Sequence, residues 1–191
     1  MPKKGKLFLL TGPSGSGKTT IAHLLLKYNP TLERVTTYTT RLPRKGEING
    51  IHYHFIDRKT FKEFVKKGAF LEWARVYGNY YGQKENDIEL IKKQGKNILL
   101  VIDPQGMKTL MEQNKAISFF LDTESDELLF KHLCKRSTDK QTTLQTRLKK
   151  AKSDRKLASF ATYQIQNIEG YPEKTAKQIE KIIQKELTIP R

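Results

Sequence analysis

The feature that most constrains the fold is a glycine-rich motif near the start of the chain. Residues 12–19 read Gly-Pro-Ser-Gly-Ser-Gly-Lys-Thr and match the spacing G-x-x-x-x-G-K-[ST] in full. The apolar run Leu7–Thr11 precedes the motif, and Lys18–Tyr28 follows it with apolar residues near helical spacing. Glycines permit turns that point backbone N–H groups at phosphate oxygens, and a helix N-terminus attracts the same anion. The motif therefore predicts a strand, a phosphate-binding loop and a helix.

A loop of this kind binds a nucleoside triphosphate. The Lys18 ammonium can reach the β- and γ-phosphates, and the Thr19 hydroxyl can ligate Mg²⁺. The candidate contacts to ATP are Gly12, Pro13, Ser14, Gly15, Ser16, Gly17, Lys18, Thr19 and Thr20.

Short apolar runs alternate with amphipathic stretches along the rest of the chain, which favours a parallel sheet with helices on both faces. The fold class predicted is the α/β class, a three-layer α/β/α P-loop NTPase with a parallel core sheet. Further apolar runs that predict strands are Asn97–Asp103, Ala116–Leu121 and Thr162–Ile168. Further predicted helices are Gln105–Glu112, Ser125–Lys135, Leu144–Leu157 and Glu173–Leu187.

Two stretches interrupt this alternation within a single predicted domain of residues 1–187. Residues 36–83 are too long for one strand-to-helix connection and predict a small subdomain over the sheet. Residues 135–146 are mostly polar and suit a mobile lid. The core would then comprise residues 1–35, 84–134 and 147–187.

The chain is strongly basic, with 36 Lys and Arg against 20 Asp and Glu and a formal charge of +16. A field of this sign attracts polyanions, including nucleotides. The charge is spread along the chain, and no motif that reads RNA or DNA is visible, so we expect no dedicated nucleic-acid binding.

The sequence gives no sign of a membrane or secreted protein. It has no apolar stretch long enough to span a bilayer, and the apolar run after the basic N-terminus is only Leu7–Leu10. Cys134 is the only cysteine, which fits a reducing compartment. We therefore expect a cytoplasmic protein.

Three later segments carry motifs that are more specific than the phosphate loop alone. They read Thr-Thr-Arg-Leu-Pro-Arg-Lys-Gly-Glu-Ile-Asn-Gly-Ile-His-Tyr at 39–53, Phe-Leu-Glu-Trp-Ala at 70–74 and Gly-Asn-Tyr-Tyr-Gly at 78–82. These segments closely resemble those of guanylate kinases, and the resemblance runs from about residue 6 to residue 187. It implies a Mg²⁺-dependent kinase that uses ATP to phosphorylate GMP, and also dGMP.

The residue types in these segments suit a purine nucleotide. Two guanidinium forks, Arg41 and Arg44, can hold one phosphate dianion, to which Tyr53 and Tyr81 can donate their hydroxyls. The Glu72 carboxylate can accept hydrogen bonds from N1–H and the 2-amino group of guanine, which adenine cannot supply together. The resemblance assigns these roles to the same residues and adds Thr37, Gln83 and Asp103 to the GMP site.

The remaining candidates lie further along the chain. Asp103 ends an apolar strand and can hold a water of Mg²⁺ or orient the acceptor, or it can cap the following helix. The resemblance implies that Arg136 and Arg147 reach the transferring phosphoryl group and that Asn167 lies near adenine. The catalytic candidates are Lys18, Arg41, Asp103, Arg136 and Arg147.

The chain departs from the family pattern at several positions. Gln83 replaces the usual Ser or Thr, Val101 replaces the first Asp of D-I-D-x-Q-G, and His132 replaces an arginine. The usual R-G-T is Arg136-Ser137-Thr138, and residues 140–143 replace an acidic run. Two alternatives therefore remain open, namely a kinase with another nucleotide acceptor and a binding or regulatory module without turnover. The chain is expected to be a monomer or homodimer.

Overall fold

The structure, a computed structural model, describes residues 5–113, 116–136 and 141–189, without the side chains of residues 135, 136 and 141–144. In chain order the helices and strands are β1 (Leu7–Thr11), α1 (Lys18–Tyr28), β2 (Leu32–Arg34), β3 (Tyr38–Thr39), β4 (His54–Phe55), α2 (Arg58–Lys66), β5 (Phe70–Val76), β6 (Asn79–Lys84), α3 (Glu85–Lys93), β7 (Asn97–Val101), α4 (Pro104–Glu112), β8 (Ile117–Thr123), α5 (Asp126–Arg136), α6 (Gln141–Arg155), β9 (Tyr163–Asn167) and α7 (Pro172–Thr188). These strands form two sheets.

The larger sheet is parallel, has the order β2-β7-β1-β8-β9, and is buried on both faces. Side chains of the central strand β1 alternate between two apolar clusters. Phe8 and Leu10 pack with residues of α1 and α7, whereas Leu7 and Leu9 pack with residues of α3 and α4. Burial on both faces explains why β1 and β7 are continuous apolar runs. The three layers confirm the predicted α/β fold.

The parallel arrangement brings the C-terminal ends of β1 and β7 to the same edge of the sheet. Residues 12–17 leave β1 at this edge, and Asp103 follows β7 there. The strand predicted over Asn97–Asp103 ends at Val101 instead, because Asp103 is the N-cap of α4. Its Oδ1 accepts a hydrogen bond of 2.9 Å from the N–H of Gly106, and Pro104 occupies the first helical turn.

The smaller sheet has the order β4-β3-β6-β5 and lies in the part of the chain predicted to form a subdomain. Strands β3 and β4 are parallel, and the β3–β6 and β5–β6 pairs are antiparallel. Aromatic side chains join this sheet to α2, since the buried ring of Phe61 stacks on Phe70 and Tyr80 at 4.6 and 5.3 Å. The side chain of Leu71 packs against the apolar cluster of the core sheet, which fixes the small sheet beside it.

Helices α5 and α6 follow β8 and pack through Leu129, Leu133 and Ala151. They correspond to the helices predicted at Ser125–Lys135 and Leu144–Leu157. Residues 137–140 of the predicted lid lie outside the described residues. In the part of the chain that is described, no helix combines the length and apolar character that crossing a membrane requires.

Candidate nucleotide site

The phosphate loop adopts backbone conformations that favour glycine. Gly12, Gly15 and Gly17 have φ angles of 140°, 94° and 92°. A Cβ on Gly12 would lie 2.0 Å from the carbonyl oxygen of Leu121, so the close passage of the loop beside β8 also excludes a side chain. Helix α1 begins directly after Gly17, and its first N–H groups have no acceptors within the helix. The loop and the helix N-terminus thus form a site for an anion.

Lys18 reaches back across this loop. Its Nζ donates hydrogen bonds of 2.8 Å to the carbonyl oxygens of Gly12 and Pro13. The ammonium therefore lies over the loop, where a phosphate bound to the loop N–H groups would contact it.

Asn167 braces the loop from the end of β9. Its Nδ2 donates a hydrogen bond of 3.0 Å to the carbonyl oxygen of Ser16, and a Cβ on Gly17 would lie 2.4 Å from the same nitrogen. The family resemblance implies a place near adenine for Asn167, and in the structure its amide contacts the backbone of the phosphate loop.

A cleft of about 450 Å³ separates the loop from the smaller sheet. The predicted site residues that line it are Gly12, Ser14, Gly15, Gly17, Lys18, Thr19, Thr20, Thr37, Arg41, Arg44, Tyr53, Glu72, Tyr81, Gln83, Asp103 and Arg147. Of the predicted residues with described side chains, Pro13, Ser16 and Asn167 are not among those that line it. The side chain of Arg136 lies outside the described part of the structure. The fold thus gathers residues from both sheets around one cleft.

Glu72 places a buried carboxyl group in this cleft. The residue is 7% exposed, and its Oε2 has no hydrogen-bond partner among the described residues. Burial, with a smaller contribution from Asp103, raises the pKa of Glu72 to about 8. A Cβ on Gly106 would lie 2.3 Å from Oε2, so the carboxyl group fits only because that position is glycine. Glu72 can therefore receive hydrogen bonds from a ligand that enters the cleft.

Gln83 lies beside Glu72, because the two residues are paired across β5 and β6. Gln83 is 1% exposed, and its Nε2 donates a hydrogen bond of 3.1 Å to Oγ1 of Thr37. Its Oε1 is buried and lacks a hydrogen-bond partner in the described part of the chain. The base-facing candidates Thr37, Glu72 and Gln83 thus form one polar cluster.

Arg41 and Arg44 are organised by Glu47, which the sequence reasoning did not single out. The Glu47 carboxylate accepts 2.9 and 2.8 Å hydrogen bonds from the Arg41 guanidinium and one of 2.7 Å from the Arg44 N–H. Partial burial alone would raise the pKa of Glu47, but these hydrogen bonds outweigh it and hold the pKa below its usual value. The guanidinium of Arg41 also lies over the ring of Tyr53, 5.3 Å from its centroid. The sequence signal that could have identified Glu47 is the spacing R-x-x-R-x-x-E within one short loop.

Helix α6 adds charged residues from the other side of the cleft. Arg147 is 8% exposed, and its guanidinium lies 5.6 Å from the ring centroid of Tyr77. Asp154 and Lys150 also line the cleft, with 2.7 Å between Oδ1 and Nζ. Burial raises the pKa of Asp154, although Lys150 opposes that change. Sequence reasoning missed this pair because only the tertiary packing of α6 brings it to the cleft.

A family model described as Guanylate kinase matches residues 4–186. The chain belongs to the guanylate kinase family. It is 36% identical over 181 residues to a guanylate kinase of Rickettsia felis, covering 94% of this chain and 93% of the relative. It is 40% identical over 143 residues to one of Helicobacter pylori, covering 74% and 69%. A crystal structure of guanylate kinase from Anaplasma phagocytophilum superposes with a TM-score of 0.80 at 30% identity, covering 97% of this chain and 87% of that one.

Three positions at which this guanylate kinase family member departs from the family pattern lie at or against the site. Gln83 and Val101 line the cleft. His132 contacts the phosphate loop, with Nδ1 3.0 Å from the Gly15 carbonyl oxygen and Nε2 2.8 Å from Oε2 of Glu169. Both atoms that face this ring are hydrogen-bond acceptors. The departures at residues 137–140 lie outside the described residues.

Proposed function

We propose that this protein transfers the γ-phosphoryl group of ATP to GMP and releases ADP and GDP. The observation that carries the proposal is the arrangement of one cleft. A complete phosphate loop lies on one side, and the buried carboxyl group of Glu72, which can accept hydrogen bonds, lies on the other. Membership of the guanylate kinase family supports the same assignment. A cytoplasmic location and a monomeric or homodimeric state are part of the proposal.

On the donor side, the backbone N–H groups of residues 12–19 would hold the phosphates of ATP. Lys18 would exchange its carbonyl acceptors for β- and γ-phosphate oxygens. The Thr19 hydroxyl and the Asp103 carboxylate both line the cleft, and such hard oxygen donors fit Mg²⁺. Thr19 would ligate the ion directly and Asp103 through a water. Mg²⁺ would neutralise part of the phosphate charge.

On the acceptor side, the smaller sheet and its loops would bind GMP. Arg41 and Arg44 would hold the monophosphate, with hydroxyl hydrogen bonds from Tyr53 and Tyr81. All four of these residues line the cleft, and the ion pair with Glu47 holds the Arg41 guanidinium in place, which favours this role. Glu72 would accept hydrogen bonds from N1–H and the 2-amino group of guanine, beside Thr37 and Gln83.

The transfer needs no strong general base, because the nucleophile is already a phosphate oxygen. A bond forms between an oxygen of GMP and the γ-phosphorus as the bond to the β,γ-bridging oxygen breaks, and ADP leaves with that electron pair. Lys18 and Arg147, with Arg136 from the lid, would offset charge on the equatorial oxygens. In this scheme residues 36–83 bind the acceptor and residues 135–146 close over the donor.

Steady-state kinetics would test the proposal. ADP release with Mg²⁺-ATP is followed against GMP, dGMP, IMP, AMP and other nucleoside monophosphates. We expect turnover with GMP and dGMP. Selective turnover of another base would favour the alternative acceptor, and absence of turnover in the folded protein would favour a binding or regulatory module. The intact Lys18 and Thr19 argue against that module.

Two variants connect this activity to the cleft. Lys18→Ala should abolish transfer, whereas Lys27→Ala, exposed on the same helix, should retain it. Glu72→Gln should lower the preference for GMP over AMP. Wild-type rates in Lys18→Ala, or an unchanged GMP-to-AMP ratio in Glu72→Gln, would refute the corresponding role.

A further inference from the structure

The cleft contains two neighbouring acceptor atoms that the described part of the protein leaves unsatisfied. They are Oε2 of Glu72 and Oε1 of Gln83, whose residues are directly paired across β5 and β6. Both side chains are more than nine-tenths buried, and both residues line the cleft. Buried polar atoms ordinarily have partners, so this pair indicates a ligand that supplies hydrogen-bond donors.

The amide of Gln83 can present either of its two ends to that ligand. Its Nε2 now donates to Oγ1 of Thr37. A hydroxyl can donate as well as accept, so a half-turn of the amide keeps this hydrogen bond with the roles exchanged. Oε1 would then accept from Thr37, and Nε2 would face the ligand. The side chain has almost the same shape in both orientations.

The order of the substituents along the edge of a purine identifies the group that Gln83 would contact. When Glu72 binds N1 and the 2-amino group, the next substituent along the same edge of the base is the one on C6. The residue paired with Glu72 across the sheet is Gln83, so its amide would lie next to that substituent in the bound nucleotide.

We infer that Gln83 is a specificity-determining residue that reads the purine 6-position in either amide orientation, so that the site accepts 2-aminopurine nucleoside monophosphates with a 6-oxo or a 6-amino group. This inference rests on the proposed function and deepens it. For GMP, the Glu72 carboxylate accepts from N1–H and the 2-amino group, and Nε2 of Gln83 donates to O6. Every polar atom of the cluster is then satisfied.

A 2,6-diaminopurine exchanges the donor and acceptor roles at N1 and at the 6-position. Its N1 is an acceptor, so the carboxylic acid form of Glu72 donates to N1 while its carbonyl oxygen accepts from the 2-amino group. Oε1 of Gln83 accepts from the 6-amino group. Burial raises the pKa of Glu72 to about 8, so the acid form is present at neutral pH. Adenine lacks the 2-amino group and leaves one oxygen of Glu72 unpaired.

The test compares kcat/KM for GMP, 2-aminoadenosine 5′-monophosphate and AMP with the wild-type protein at pH 7. We expect 2-aminoadenosine monophosphate to lie within about tenfold of GMP, and AMP to lie roughly 100-fold or more below it. If 2-aminoadenosine monophosphate is used as poorly as AMP while GMP turns over normally, the inference is overturned and the proposed function stands. If GMP itself is not phosphorylated, the proposed function fails first.

A variant of Gln83 tests whether this residue is responsible for the acceptance of both the 6-oxo and the 6-amino group. Methionine has nearly the same size and removes both the donor and the acceptor, so Gln83→Met should lower kcat/KM for both 2-aminopurine nucleotides by roughly tenfold or more. Gln178→Met, exposed on α7, is the matched control and should leave both values unchanged. Unaltered values in Gln83→Met would overturn the role of this residue. The wild-type comparison needs no variant and decides the substrate class even if Gln83→Met does not fold.

Discussion

The raised pKa of Glu72 predicts that GMP binding expels a proton. In the free protein, burial raises the pKa of this carboxyl group to about 8. Guanine offers two donors to the carboxylate, so the complex requires the ionised form. Glu72→Gln keeps the shape of the side chain and removes the titration, which makes it the natural perturbation.

The magnitude follows from the pKa. At pH 7 about one Glu72 carboxyl in eleven is ionised, so binding of GMP should release about 0.9 proton from this group. If only the carboxylate binds, the dissociation constant should fall roughly ninefold from pH 6 to pH 7 and about fivefold from pH 7 to pH 8. Affinity therefore rises with pH until the pKa of the free protein is passed.

Isothermal titration calorimetry in buffers of different ionisation enthalpy measures this release directly. The second ionisation of the GMP phosphate also contributes, but it does so equally in the wild type and in Glu72→Gln. The difference between the two proteins at pH 7 should therefore be about 0.9 proton for GMP. Equal proton release by the two proteins would refute the reasoning, since it would show that the carboxyl group does not ionise when guanine binds.

Three further outcomes follow from the same contacts. Gly106→Ala should displace the Glu72 carboxyl group and raise the KM for GMP by roughly tenfold or more without changing the KM for ATP. Thr109→Ala, on the exposed side of the same helix, should leave both KM values unchanged in steady-state kinetics. Glu72→Gln should stabilise the ligand-free protein by about 3 kcal/mol more at pH 8 than at pH 5. The raised folded-state pKa of Glu72 gives the wild type stability at low pH that is lost as the pH rises towards 8. Urea unfolding measures the free-energy difference between the two proteins, and an equal difference at both pH values would contradict this. Glu47→Gln should raise the KM for GMP roughly fivefold or more through weaker alignment of Arg41, and an unchanged KM would remove Glu47 from the phosphate clamp.

The core of the fold could be predicted because its signals are local. Leu7–Thr11 and Lys18–Tyr28 occur as predicted, since apolar runs and helical spacing are read within a few residues. The predicted end of β7 was wrong because Asp103 suits two structures, the end of a strand and the N-cap of a helix. Its strand-like neighbours extend the apolar pattern, whereas its own side chain caps α4 through the Gly106 N–H. A capping hydrogen bond is visible only once the helix start is known.

Motif spacing points to candidate site residues, whereas contacts created by packing leave no local signal. Lys18, Glu72 and Arg41 belong to segments with characteristic spacing, and all three line the cleft. Asp154 reaches the cleft only through the packing of α6. Asn167 supports the loop backbone through a contact between residues 151 positions apart, which no local pattern encodes.

Transfer of radiolabel from [γ-³²P]ATP tests the central claim most directly. Purified protein is mixed with Mg²⁺, labelled ATP and GMP, and the nucleotides are separated after a short interval. The proposed function predicts that the label appears in GDP, and that Lys18→Ala leaves it in ATP while Lys27→Ala does not. Label that remains in ATP, or that appears as inorganic phosphate with GMP unchanged, would contradict phosphoryl transfer to GMP.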